Sequence, residues 1–147
     1  MFTDIEQQTI DISWFFTDGN KIAFVASGGS KLPVSVAKSK GNLEKLFSYF
    51  DQLPGNKKII INPDLKKTIK SNVDEWYLSS FTEMAEKGLF AYDRTDFSRF
   101  AASNYHLVAS PVDPLKFNQL PFDVQHILAE SKYNGELESL LDISLID

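Results

Sequence analysis

Ile10-Asp11-Ile12-Ser13-Trp14-Phe15-Phe16-Thr17-Asp18-Gly19-Asn20-Lys21-Ile22-Ala23-Phe24-Val25-Ala26 is the most legible run in the chain. Ile10, Ile12, Trp14 and Phe16 alternate with Asp11, Ser13, Phe15 and Thr17. Period-2 patterning rich in β-branched and aromatic residues predicts a strand. Asp18-Gly19 supplies two residues that tolerate positive φ, the strongest short-range hairpin signal. Ile22, Phe24 and Ala26 then form the return strand. Phe15 and Val25 are apolar on the opposite side of their strands, so both faces of this hairpin should be covered.

Outward from the hairpin, Ser27-Gly28-Gly29-Ser30 reads as a loop and Pro33 to Ala37 as a short third strand. Leu43, Leu46, Phe47, Phe50 and Leu53 form a helical stripe, with Ser39 or Asn42 as its N-cap. Pro54-Gly55-Asn56 ends it. Lys57 to Ile61 reads as a strand, and Asn62-Pro63 as the start of a short helix through Lys70. Asn72 and Glu75 have capping-box spacing ahead of a second stripe, Val73, Tyr77, Phe81, Met84 and Ala85, closed by Gly88. Leu89 to Tyr92 and Tyr105 to Ala109 read as strands, with Asp96 capping a turn of helix through Ala102. Asp113-Pro114 and Leu120-Pro121 look like helix starts. Glu136 to Asp142 reads as a last helix, and Ile143 to Asp147 as either strand or frayed tail. The helix–strand–helix–strand order from Leu43 to Tyr92 makes part of the sheet parallel. The expectation is a single α+β domain over residues 1–147: an N-terminal antiparallel hairpin in a mixed sheet, with helices packed mainly on one face.

The composition fits a globular chain. Its 147 residues suggest one domain that buries about 68–70% of its unfolded surface, and 43% hydrophobic with 24% charged residues are the fractions of a globular protein. The absence of cysteine excludes disulfides, thiolate metal sites and a cysteine nucleophile. Met1 to Gln8 is acidic and polar, without the features of a signal peptide. No apolar run approaches the roughly 20 residues that span a bilayer. A cytoplasmic protein is therefore expected.

The net charge of −5 is unevenly spread: −4 over residues 1–20, +7 over 21–70 and −8 over 71–147. Ten of the thirteen lysines lie in the middle segment. Such asymmetry marks either an electrostatic footprint or regions that attract each other on folding. Lys57, Lys58, Lys66, Lys67 and Lys70 are not interleaved with arginine or aromatics, and the pI is near 5.0, so nucleic-acid binding is disfavoured.

Catalytic motifs are few. Ser27-Gly28-Gly29-Ser30-Lys31 lacks phosphate-loop spacing and runs into an extended stretch. His106 and His126, the only histidines, have no spacing that brings them together on a metal, and no cofactor or metal is expected. Tyr92-Asp93-Arg94-Thr95-Asp96 is the densest polar segment and lies where a strand ends. Its two carboxylates flanking an arginine suit a planar anion or an acid–base pair; the plainer reading is a polar turn. Trp76 falls off its helical stripe, beside Asp74 and Glu75, as a protein-contact anchor would.

Ile12-Ser13-Trp14-Phe15, Asp18-Gly19-Asn20, Phe24, Gly28-Gly29, Pro33 and the Leu43-Glu44-Lys45-Leu46 helix together resemble the opening of small acidic bacterial proteins of unassigned role. Some of these are regarded as immunity proteins, antidotes encoded beside secreted toxins. The resemblance covers roughly the first 50 residues and transfers no residue roles. It implies a bacterial protein that binds another protein. The leading expectation is thus a non-enzymatic interaction module whose acidic surface occludes a basic protein partner, with contacts at Trp76, Tyr92, Asp93, Arg94 and Asp96. The alternative is a small-ligand-binding protein or enzyme using Asp93, Arg94 and Asp96, with His106 as a further member.

Overall fold

A computed structural model describes residues 1–69 and 73–146. Lys70, Asn72 and Asp147 lie outside the described residues, and with them the capping-box partner and the last residue of the tail. The hairpin forms as read: β1 (Ser13–Thr17) pairs antiparallel with β2 (Ile22–Ala26), Trp14 opposite Val25 and Phe15 opposite Phe24. Gly19 takes φ +95°, and the Asp18 carboxylate accepts the Asn20 and Lys21 N–H groups.

Mixed pairing then builds a six-stranded sheet. β4 (Phe90–Arg94) lies between β2 and β5 (Asn104–Pro111), parallel to the first and antiparallel to the second. The far edge of β5 is shared. β3 (Ile59–Ile61) takes its C-terminal half and β6 (Leu140–Asp142) its N-terminal half. Asn62 fits where β3 stops, donating its backbone N–H to the Val108 carbonyl and its side-chain amide to the Leu107 carbonyl.

One face carries the longer helices. On it, α3 (Lys40–Asp51), α5 (Glu75–Glu86) and α6 (Phe122–Leu128), with the single turn α4 (Leu65–Thr68), bury Phe15, Phe24, Phe50, Phe81, Leu89 and Val108. The rings of Phe15 and Phe50 meet at 4.7 Å between centroids, and Phe81 meets Phe24 edge-on at 6.1 Å. The stripes supply the contacts and side chains fix the starts: Ser39 Oγ caps α3, and Asp74 caps α5 by accepting the Tyr77 N–H at 2.8 Å. Gly88 ends α5 at φ +104°, where an added Cβ would lie 2.8 Å from Leu115.

The opposite face holds Trp14, Phe16, Val25, Tyr92 and Tyr105. Short pieces cover it: Leu32, the turn α2 (Val34–Ala37), and the C-terminal segment through Tyr133, Leu141 and Ile143. The six-residue α1 (Asp4–Thr9) brings Gln7 over this region, where its amide oxygen accepts the Leu32 N–H.

Several local readings are overturned. Pro33 to Ala37 is helical, because the Pro33 carbonyl takes the Val36 and Ala37 N–H groups. Asp113-Pro114 starts no helix; Leu115 and Phe117 instead donate to the Gly88 and Asn20 carbonyls, which holds the segment extended until a 3₁₀ turn at Phe117–Gln119. Asp96 caps a turn and no helix follows it. Glu136 to Asp142 is extended and ends as β6, its helical composition outweighed by pairing with Tyr105 and His106. Ile143–Leu145 makes a 3₁₀ turn, and Ile146 bridges to Tyr133.

Candidate functional site

The last residues of β4 point alternately to the two faces of the sheet, and this separates the predicted cluster. Asp93 faces the helices. It lies directly across from His106, and its Oδ2 accepts the Tyr77 hydroxyl at 2.6 Å from α5. Its Oδ1 accepts the Arg94 backbone N–H at 2.8 Å. No cation pairs with it among the described residues. Burial raises the Asp93 carboxyl above its ordinary value, opposed by these two hydrogen bonds. Burial, then the carboxylate beside it, likewise raises the Tyr77 phenol, so this hydroxyl stays protonated and donating.

Arg94 turns the other way, opposite Tyr105, and is 6% exposed. Its guanidinium donates to three backbone carbonyls, Asp96 at 2.9 Å, Gly28 at 2.8 Å and Arg99 at 2.6 Å, and lies 4.7 Å from the Phe97 ring centre. It staples the segment after β4 to the glycine turn after β2. Gly28 has φ +57°, and a Cβ there would meet Phe97 at 3.2 Å and Arg94 at 3.4 Å. Asp96 is spent on the Ser98 N–H and hydroxyl, which lower its carboxyl below the ordinary value.

The charged groups of Asp93, Arg94 and Asp96 are therefore held by separate partners; Asp93 and Arg94 border one cleft and Asp96 does not line it, so the three do not form the single cluster of the alternative reading. Tyr92 is also no surface contact: it is fully buried, and its hydroxyl donates to the Glu138 carbonyl at 2.7 Å. Trp76 is at the surface, 88% exposed in the first turn of α5. Ser79, Ser80 and Glu83 continue its exposed face.

What gathers around Asp93 is a set the sequence does not announce. Thr95 Oγ1 lies 2.8 Å from His106 Nδ1. His106 is fully buried, its Nε2 has no partner among the described residues, and burial lowers its pKa to about 4. The imidazole is therefore neutral at pH 7. Placing its proton on Nδ1, toward Thr95, leaves only an acceptor unpaired, which buried sites tolerate better than an orphaned N–H. Above this pair opens a cleft of about 450 Å³ lined by Thr68, Ile69, Tyr77, Asp93, Thr95 and Phe97, with Arg94 also bordering it. Its chemistry is that of acceptors: a carboxylate with lone pairs to spare, threonine oxygens, and aromatic walls. The register that sets His106 opposite Asp93 is a tertiary fact; only the Tyr77 stripe was readable in advance.

The lysine-rich segment and the acidic regions do touch. Lys40 pairs with Glu6, Lys38 with Glu130 and Lys57 with Asp113, while Lys67 pairs locally with Asp64. These pairs are largely exposed, so each adds little stability. On α5, Glu75 and Glu83 enter no ion pair among the described residues. No helix is long and apolar enough to cross a membrane among the described residues. No protein family, curated protein or solved structure matches the chain.

Proposed function

We propose that the chain is a non-enzymatic interaction module that docks a basic protein on the outer face of α5, in the manner of an immunity-type inhibitor acting by occlusion in the bacterial cytoplasm. The observation that carries this reading is Trp76, 88% exposed at the start of α5. It is flanked by Asp74 and Glu75, with Glu83 two turns on. Tryptophan supplies large contact area at small entropic cost and is enriched where interfaces concentrate their binding energy. The acids around it, which enter no ion pair among the described residues, give a basic partner its steering field and register. The hydroxyls of Ser79 and Ser80 on the same face leave room for close approach.

The test is capture from the native host by wild type and by Trp76→Ala, followed by reconstitution with the purified partner. A stoichiometric complex with a basic protein is expected. It should weaken with salt and lose at least about tenfold in affinity on Trp76→Ala, as hot-spot truncations do. A complex indifferent to Trp76→Ala, to Glu75→Gln with Glu83→Gln, and to salt would overturn the proposal. So would recovery of no protein partner.

A further inference from the structure

The Asp93 cleft has its own electrostatic imbalance, independent of the outer face of α5. Its carboxylate is half-buried, and the two hydrogen bonds it accepts come from neutral donors, the Tyr77 hydroxyl and a backbone amide. The nearest cation in sequence, Arg94, borders the cleft, but its guanidinium is committed to three carbonyls and to the Phe97 ring and makes no ion pair with Asp93. A partly desolvated carboxylate with no counter-ion among the described residues is costly to keep, and an incoming cation gains what those residues have not supplied. Tyr77 borders the same space with aromatic surface, Phe97 with a ring that already packs on the Arg94 guanidinium, and Ile69 adds an apolar wall. The Tyr77 face attracts a cation, and the apolar surfaces of Ile69 and Phe97 accept methylene groups. Oxygen acceptors come from separate elements: Thr68 on α4, Asp93 on β4 and Thr95 just beyond it. Dispersed acceptors of this kind suit a compact ammonium head with three rotatable donors better than a planar guanidinium fork.

We propose that this cleft binds an alkylammonium group, with Asp93 as counter-ion, Tyr77 holding the carboxylate in place, and Ile69 and Phe97 flanking the alkyl stem. The same head is carried by a lysine side chain of a protein and by a free amine. The site goes beyond the docking reading and stands without it.

The test is a titration of the isotope-labelled full chain, followed by amide and side-chain NMR, with n-butylammonium and with n-butanol as the uncharged analogue of equal size. Saturable shifts confined to Tyr77, Asp93, Thr95, Phe97 and their neighbours are expected for the amine and not for the alcohol. Asp93→Asn should weaken amine binding by about tenfold or more, the scale of one charge-assisted contact. Tyr77→Phe keeps the ring, removes the hydroxyl and should weaken it severalfold; it also serves if Asp93→Asn fails to fold. Ser79→Ala, and Trp76→Ala from the docking face, should leave it unchanged, which separates failure of this site from failure of the other. Affinity should fall as acid protonates Asp93. Tighter binding of N-acetyl-lysine-methylamide than of butylammonium identifies a peptide lysine as the source, and the reverse order a free amine. Equal response to the alcohol, shifts elsewhere only, or undiminished binding by a folded Asp93→Asn or Tyr77→Phe chain would overturn the proposal.

Discussion

Asp93 and Arg94 are neighbours in the chain and opposites in everything else. On one side of β4, Arg94 is closed in, with three carbonyls and a phenyl ring around its guanidinium. On the other, Asp93 borders a cleft, hydrogen-bonded but without an ion pair among the described residues. A buried cation satisfied by carbonyls is a structural part, because its removal strands every acceptor it served. A carboxylate left at a cleft without a counter-ion contributes little to holding the chain together and remains available to something else. Adjacent charges in a strand thus divide the work between the sheet's faces, and proximity in sequence says nothing of shared purpose.

Breaking the closed side should have the largest effect. Arg94→Ala is expected to cost about 4 kcal/mol, since three carbonyls lose their donor in a buried setting. Urea unfolding measures this, and a loss under about 1 kcal/mol would erase the contrast with Asp93. The next effect belongs to His106 behind the cleft. Its pKa falls from 6.5 in the unfolded chain to about 4 when folded. Between those values only the unfolded chain takes up the proton, so acid favours unfolding. The stability at stake is fully present above pH 6.5 and is lost as pH falls toward 4, roughly 3 kcal/mol at most. His106→Gln should remove that acid-sensitive component, visible as urea midpoints that change less between pH 7 and pH 4.5.

Asp93 has the opposite sign and a smaller size. Its folded carboxyl is raised, so the folded state holds its proton to higher pH and loses stability as pH rises through that range. Relative to wild type, Asp93→Asn should therefore gain ground at neutral pH and fall back in acid; a constant offset would show the carboxylate to be as well compensated as Arg94. Smallest is Trp76→Ala, expected to move stability by no more than about 0.5 kcal/mol because the ring packs on so little of its own chain. A drop in melting temperature beyond that would place Trp76 among the structural residues.

The hairpin, α3 and α5 are legible because turn chemistry or an apolar stripe is strong there, with the Ser39 cap agreeing at α3, whereas α5 is capped by Asp74 with Glu75 as its first residue, not by the Asn72–Glu75 box. The misreadings fall where distant backbone decides. Val34 and Val36 favour a strand by propensity, yet the Pro33 carbonyl closes a helical turn. Glu136-Leu137-Glu138 favours a helix, yet the free half of the β5 edge recruits the chain as a strand. The same limit governs the site. That Asp93 and Arg94 diverge follows from strand alternation alone, but Tyr77 and His106 reach Asp93 through a helix packing and a strand register that no local pattern carries. Trp76 was recognisable as an outlier from its stripe, whereas Tyr92 was misjudged because a strand covered on both faces buries it.

The parallel ladder between β2 and β4 also bears on how quickly the molecule assembles. It joins Ala23 to Phe90 and Ala26 to Asp93 across a long intervening chain, and it is the seam between the β1–β2 hairpin and the β4–β5 half of the sheet. Each half closes locally and early, whereas the seam must wait for α3 and α5 to fold the chain back. Until then the inner edge of β2, all apolar from Ile22 to Ala26, is unpaired. That interval, rather than the finished structure, is when the chain is most exposed to pairing with a stranger, and a slower seam lengthens it.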